Sequence, residues 1–382
     1  MWQLLNLDSE TFIRDYWQKK PCLVRNAFAN FESPVSPEEL AGLACEEDVH
    51  CRLVMEKGGE SPWQLRYGPF EEQDFLDLPQ GHYSLLVSEC EKWFPELGDL
   101  LDQFRFIPDW RVDDLMISYA PPQASVGAHV DEYDVFLLQA MGQRRWQYNE
   151  KPLQNPQIIP GLELSILQQF EADVEVILDP GDMLYLPPGI AHHGVAVDHC
   201  MTYSIGFRAP SAAMALDSFA LELDRQGLSN KRYADPGLEL NRHHGEITDN
   251  EIEAFKALVL DLLTQPAELW RDSVGKLLSD SAATPPGDAD QPVYISDLQA
   301  CAWIRHPETR MLFNEQPDSI QFYCNGQAYI LSADGQIRSC IEELCAQREW
   351  SQALIHRCIA IEELQTLLSA LAQRGAILPL ED

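Results

Sequence analysis

The chain has 382 residues, 45% of them hydrophobic and 23% charged, a globular balance with room for two or three domains. Its 61 acidic side chains face only 27 basic ones. The resulting net charge of -34 repels nucleic acid and anionic membranes and steers basic partners toward the surface.

The opening, MWQLLNLDSETFIRDYW, carries acids inside its apolar run and has no basic start, so it is not expected to be a signal peptide. Asp8 or Ser9 can cap a first helix whose face holds Phe12, Ile13, Tyr16 and Trp17. That helix should stop before Pro21, and CLVRNAF reads as a strand. Ser36, Pro37 and Glu39 supply the N-cap, first position and capping box of a second helix. From Arg111 to about Pro210 the pattern changes to short apolar or alternating runs. DLMISYA, HVDEYDVFLLQ, RRWQYN, VEVILD, DMLYLPP, HHGVAV and TYSIGF are all predicted strands, and so many in one tract suggest a barrel or sandwich.

Beyond Pro210, MALDSFALELDRQ and NEIEAFKALVLDLLTQ show helical spacing, with Thr248 and Glu251 as another capping box. SDSAATPPGDADQP, ending at Pro292, has linker composition. A last module should hold helices near Asp297, Glu342 and Glu362 and a hairpin, FYCNGQAYIL, turning at Asn325-Gly326. No segment reaches about 20 apolar residues, so no membrane span is expected. The ten cysteines include no CxxC pair, which suits reduced thiols in a cytosol better than disulfides or a zinc knuckle.

In HVDEYDVFLLQ, strand alternation would put His129, Asp131 and Tyr133 on one face. Alone, such a pair also suits a histidine hydrogen-bonded to a carboxylate. A second element, EVILDPGDMLYLPPGIAHHGVAV, can bring His192 back to the same mouth. Two imidazoles and one carboxylate with open positions are the ligand set of non-haem Fe(II) oxygenases. Zinc would favour closed nitrogen–sulfur tetrahedra, and Mg²⁺ oxygen alone. His193 competes for the third place, but alternation admits only one of the two, and His192 is the first residue clear of the loop.

These residues carry a resemblance to the JmjC-type cupin oxygenases dependent on 2-oxoglutarate, in particular the bacterial ribosomal oxygenases. The matching motifs are WQKKPCLVRNAF, IPDWRVDDLMIS, HVDEYDVFLLQ, GDMLYLPPGIAHHG and MTYSIGFRAP. The resemblance implies an α+β chain in three parts. A double-stranded β-helix of cupin/JmjC type would span residues 1–210, a helical dimerisation region 211–280 and a winged-helix-like module 293–382. It also implies that His129, Asp131 and His192 hold the iron, that Arg144 binds the distal carboxylate of 2-oxoglutarate, and that Ser118 hydrogen-bonds the same co-substrate. A guanidinium fork suits that carboxylate because it binds bidentately and stays charged when buried. Arg145 should face away as a solvated side chain, and Tyr133 could line the substrate entrance or simply pack. The sequence departs from the family before HxD, where PPQASVGAH holds a single glycine.

The implied reaction consumes Fe(II)-bound 2-oxoglutarate and O₂, releases succinate and CO₂, and hydroxylates an unactivated carbon. The implied substrate is an arginine, oxidised at its 3-position, of the large-subunit ribosomal protein numbered sixteen. That protein is a basic partner met in the cytoplasm by a homodimer; eukaryotic relatives in the family act on histidine instead. Two other readings compete. One is a ligand-sensing cupin joined to a DNA-binding winged helix, although residues 293–382 carry twelve acidic and six basic side chains, the wrong sign for reading DNA. The other is a cupin isomerase or non-catalytic metal binder, which would lack the arginine for a 2-oxoglutarate tail.

Overall fold

The computed structural model describes residues 3–57, 63–78, 81–228, 230–237, 245–264, 266–280 and 293–380. The chain forms two compact units, Met1–Ala209 and Pro210–Asp382.

In the first unit, helices α1 (Ser9–Asp15), α2 (Pro37–Leu43), α3 (Glu72–Leu76) and α4 (Pro95–Leu101) accompany twelve strands among the described residues. Asp8 caps α1 by accepting from the Thr11 amide, and Ser36 and Glu39 close a reciprocal capping box on α2. The first strands are β1 (Cys22–Val24), β2 (Cys51–Glu56), β3 (Trp63–Tyr67), β4 (Tyr83–Val87), β5 (Val112–Ala120) and β6 (His129–Val130). They are followed by β7 (Asp134–Met141), β8 (Arg144–Tyr148), β9 (Val174–Leu178), β10 (Met183–Leu186), β11 (Ala191–Ala196) and β12 (Cys200–Phe207). One antiparallel sheet runs β1-β10-β7-β12-β5-β4-β2-β3, and a second runs β6-β11-β8-β9.

In the central strands β7, β10 and β12, alternation gives two buried faces. Phe136 and Leu138, Met183 and Tyr185, and Tyr203 and Ile205 pack on Phe12, Leu40 and Leu97 of the helices. The opposite face carries Val135, Leu137, Leu184 and Leu186, which meet Trp146, Tyr148 and Leu178 of the small sheet. The result is a double-stranded β-helix with a side-chain-lined interior.

Two sequence expectations need correction. HVDEYDVFLLQ is not one strand: β6 belongs to the small sheet and β7 to the large, with the chain bending at 131–133. The bend ends at fully buried Asp134, which accepts from Tyr185 Oη at 2.6 Å and from Arg111 Nη2 at 2.8 Å. Strands β2, β3 and β4 were also not anticipated. In β2, Leu53, Val54 and Met55 are consecutive and all buried, so the strand lacks the alternation that marks a half-exposed one.

The second unit contains α5 (Ala212–Arg225), α6 (Asp249–Leu263), α7 (Ala267–Ser279), α8 (Ile295–Ala300), α9 (Gly335–Ala346), α10 (Gln352–Ile359) and α11 (Glu362–Gln373). Its strands are β13 (Trp303–Arg305), β14 (Met311–Glu315), β15 (Ser319–Cys324), β16 (Gln327–Ser332), β17 (Glu349–Trp350) and β18 (Ile377–Pro379). Phe219 of α5 stacks on Trp270 of α7 with ring centroids 4.0 Å apart. α7 in turn lies directly on β15: a Cβ on Gly275 would stand 2.3 Å from the Tyr323 ring. The helical stretch therefore packs with the last module in one unit. Asn325 and Gly326 have φ of 45° and 71°, the left-handed pair a two-residue hairpin turn requires. All but the first two residues of the linker-like stretch lie outside the described residues. Among the described residues no helix is long and apolar enough to cross a membrane.

Candidate active site

The first candidate side chain, His129, stands directly across from His192, because β6 and β11 pair in that register. Asp131 joins them from the bend, not from the pleat, where its carbonyl accepts from the Gly189 amide at 2.8 Å. One ligand atom from each of the three residues lies within 4.8 Å of the other two. His192 Nε2 is 3.6 Å and His129 Nε2 3.9 Å from Asp131 Oδ2.

Both imidazoles are oriented by the same device. His129 Nδ1 donates to the Gly127 carbonyl and His192 Nδ1 to the Ile190 carbonyl, each at 3.0 Å. These bonds fix the tautomer that leaves Nε2 with a free lone pair aimed at the cluster. Burial and neighbouring His129 push His192 down to about 4, so it stays neutral, the form that ligates a metal. Gly127 is the one glycine retained in PPQASVGAH, and it has φ of 85°. It also leaves space for Ile166, whose side chain would lie 3.0 Å from a Cβ there. His193 takes the outward face of β11, its ring 6.3 Å from Phe170. The choice between the two histidines thus follows from strand parity.

Deeper in the barrel, Arg144 is 4% exposed and reaches from the small sheet to Ser118 on the large one, Nη1 standing 3.5 Å from Ser118 Oγ. Its Nε and Nη2 make no hydrogen bond among the described residues. A buried cation with one edge unsatisfied is costly, and a carboxylate is the group that best satisfies an Nε–Nη2 edge. The Ser118 hydroxyl donates to the Thr202 carbonyl at 3.4 Å, so its lone pair serves Arg144. In this arrangement it steadies the guanidinium. Arg145 sits on the other face as expected, but it is partly buried, its Nε enclosed, and so is less solvated than a surface arginine.

Sequence reasoning missed several residues of this interior. Trp146 shares the inward face of β8 with Arg144, its ring 5.9 Å from that of His192. It fits because Gly194 lies across from it: a Cβ there would be 2.7 Å from the indole. By parity Asp114 and Met116 share the inward face of β5 with Ser118. Burial and the charge of Asp113 push Asp114 up to about 6. Tyr133, 44% exposed, lies within the field of Asp131 and Asp114, and burial and these acids hold its phenol above the ordinary value. The alternation of DDLMIS could have revealed Asp114. Nothing in the sequence could have paired Gly194 with Trp146.

The chemistry of the donor set fits a divalent transition metal with exchangeable positions: two neutral imidazole nitrogens and one carboxylate, on one side of the cluster. The Arg144 edge fits the far end of a small dicarboxylate.

A family model described as JmjC domain matches residues 99–215, which contain His129, Asp131, His192, Arg144 and Ser118. The ribosomal protein uL16 3-hydroxylase of Escherichia coli is 39% identical over 297 residues, covering 77% of this chain and 78% of that protein. A probable ribosomal oxygenase of Haemophilus influenzae is 34% identical over 335 residues, covering 84% and 82% respectively. The solved structure of the E. coli ribosomal oxygenase YcfD, in complex with cobalt and 2-oxoglutarate, superposes with a TM-score of 0.81 at 32% identity, covering 99% of both chains.

Proposed function

The chain belongs to the JmjC-domain ribosomal oxygenases, and from that premise we propose that it hydroxylates an arginine of ribosomal protein uL16 using Fe(II), 2-oxoglutarate and O₂. The observation that carries this reading is the buried Arg144 guanidinium, its Nε–Nη2 edge unsatisfied, in the same barrel as a His-Asp-His cluster. A metal-storing or isomerase cupin has no use for such a cation. Its partner is supplied by the distal carboxylate of 2-oxoglutarate, the molecule held with cobalt in the E. coli relative.

His129, Asp131 and His192 would hold the metal. Bound there with 2-oxoglutarate and O₂, it supplies an oxidative decarboxylation to succinate and CO₂ that drives replacement of a C–H by a C–OH. The residues around it bind and orient. Arg144 clamps the co-substrate tail, and Ser118, itself donating to the Thr202 carbonyl, accepts from Arg144. The apolar walls Val135, Leu137, Leu184 and Leu186 exclude water.

Asp114 supports arginine as the target. It lies on the inward face beside Tyr133, and a cationic side chain entering there would restore its ordinary ionisation. A guanidinium carries that charge at every physiological pH, whereas an imidazole is largely neutral at pH 7. The net charge of -34 suits a basic ribosomal protein as partner. All ten cysteines are free, in keeping with a reducing cytoplasm. We also read α6 as the dimer surface, with Ile252, Phe255, Val259 and Leu260 all exposed, and the last module as winged-helix-like in its hairpin and helices.

The reading is tested by succinate release from 2-oxoglutarate with and without recombinant uL16. Coupled turnover predicts succinate in step with added substrate. Release that ignores uL16, or no release at all, would overturn the assignment.

A further inference from the structure

Trp146 differs from Trp270, Trp303 and Trp350 in its indole N–H. The indole N–H of Trp303 donates to the Leu298 carbonyl, that of Trp350 to the Leu344 carbonyl, and that of Trp270 to the Leu263 carbonyl. Trp146 is 4% exposed, as buried as Trp303 at 5%, yet its Nε1 meets no acceptor among the described residues. Buried indoles ordinarily find a partner, because a desolvated N–H left without one is costly.

Its position tells what the partner is. Trp146 lies two residues from Arg144 on the inward face of β8, whose burial alternates along the strand. The Arg144 guanidinium carbon is 5.7 Å from the indole centroid, and the His192 ring is 5.9 Å away on the other side. The benzo edge of the indole is pinned over Gly194, where even a methyl group would collide with it. That contact seats the ring against β11. Three buried donors without acceptors among the described residues, Arg144 Nε, Arg144 Nη2 and Trp146 Nε1, thus belong to two side chains of the same inward face of β8, one beside Ser118 and the other beside His192.

We propose that the Trp146 indole N–H is a third donor to the bound co-substrate, acting with the Nε–Nη2 edge of Arg144 to select a 2-oxo acid that ends in a second carboxylate. This rests on the 2-oxoglutarate reading above. A carboxylate has two oxygens and about four lone-pair directions, so the arginine edge leaves capacity for one further donor. The indole adds no charge. Its contribution is selective for an acceptor at that depth and is absent for a 2-oxo acid too short to reach it.

The test replaces Trp146 by 3-benzothienylalanine, which keeps the bicyclic ring over Gly194 and removes only the N–H. Trp146→Phe serves as a simpler companion. Affinity is measured calorimetrically without oxygen, with Mn²⁺ at the metal site, for 2-oxoglutarate and for 2-oxobutyrate, which has no distal carboxylate. The expected result is a loss of about tenfold or more in 2-oxoglutarate affinity for the isostere, since a hydrogen bond to a charged acceptor is being removed. Affinity for 2-oxobutyrate and for Mn²⁺ alone should stay at the wild-type level. Unchanged 2-oxoglutarate affinity would overturn the proposal, as would an equal loss for both oxo acids or a loss of Mn²⁺ affinity. Failure of the wild-type protein to bind 2-oxoglutarate would instead overturn the functional reading on which it rests.

Discussion

Arg144 and Arg145 are neighbours in sequence with opposite tasks, because a β-strand turns successive side chains to opposite faces. Arg144 enters the barrel and meets Ser118, while Arg145 pairs across to Val195 and Ile177 on the outer side. Arg144→Ala should therefore weaken 2-oxoglutarate binding about thirtyfold or more, the cost of leaving a buried carboxylate without its cation. Arg145→Ala should bind nearly as wild type. Calorimetry with Mn²⁺ under anaerobic conditions reads both, and Mn²⁺ binding itself should survive in each variant. The reverse pattern would mean that the co-substrate lies on the other face of β8. His129→Ala should abolish metal binding while the circular dichroism spectrum stays unchanged. The side chain is only partly buried, so its loss removes a ligand but little of the core. Metal affinity that survived this change would remove His129 from the ligand set.

At the level of elements, the barrel is held at its rim by carboxylates. Glu91, in the short 3-10 turn Cys90–Lys92, accepts from the Leu115 amide at the start of β5 at 3.0 Å. Burial pushes this carboxyl up to about 8 from an ordinary 4.5. The folded state therefore keeps a proton that the unfolded chain gives up. The favourable contribution is complete below about pH 4.5 and is lost as the pH rises toward 8. Thermal melts should show stability declining across this window, and Glu91→Gln, which keeps an acceptor but cannot ionise, should flatten the decline. An identical slope in both proteins would show that Glu91 does not titrate there. Much of this architecture was legible in the sequence: the capping boxes at Ser36 and Thr248, the Asn325-Gly326 hairpin, and the strands from β5 to β12 each carry a local chemical signature. What escaped depends on contacts between distant segments. The break after Val130 is set by Asp134 meeting Arg111 and Tyr185, and β2 hides its period because it is buried on both sides. His129, Asp131 and His192 converge as the sequence suggested even though the expected strand geometry was wrong, because residue chemistry at HxD and His192 is local, whereas the route of the chain between two sheets is not.

For the molecule as a whole, the exposed face of α6 and the acid excess make separate predictions. Ile252, Phe255 and Val259 repeat at helical spacing on a helix with no buried residue, more apolar surface than a helix in water sustains. Light scattering at micromolar concentration should give twice the 43.3 kDa chain mass, and Phe255→Glu with Val259→Glu should halve it. A monomeric wild type would remove the dimer from the account. The net charge of -34 should make capture of a basic substrate sensitive to ionic strength, with KM for uL16 rising as salt screens the field. The most direct test of the central claim is the mass of uL16 after incubation with the protein, Fe(II), 2-oxoglutarate and air. The account predicts the gain of one oxygen atom on a single arginine, lost when Asp131→Ala replaces wild type. An unmodified uL16, an oxygen on another residue type, or the same modification by Asp131→Ala would contradict it.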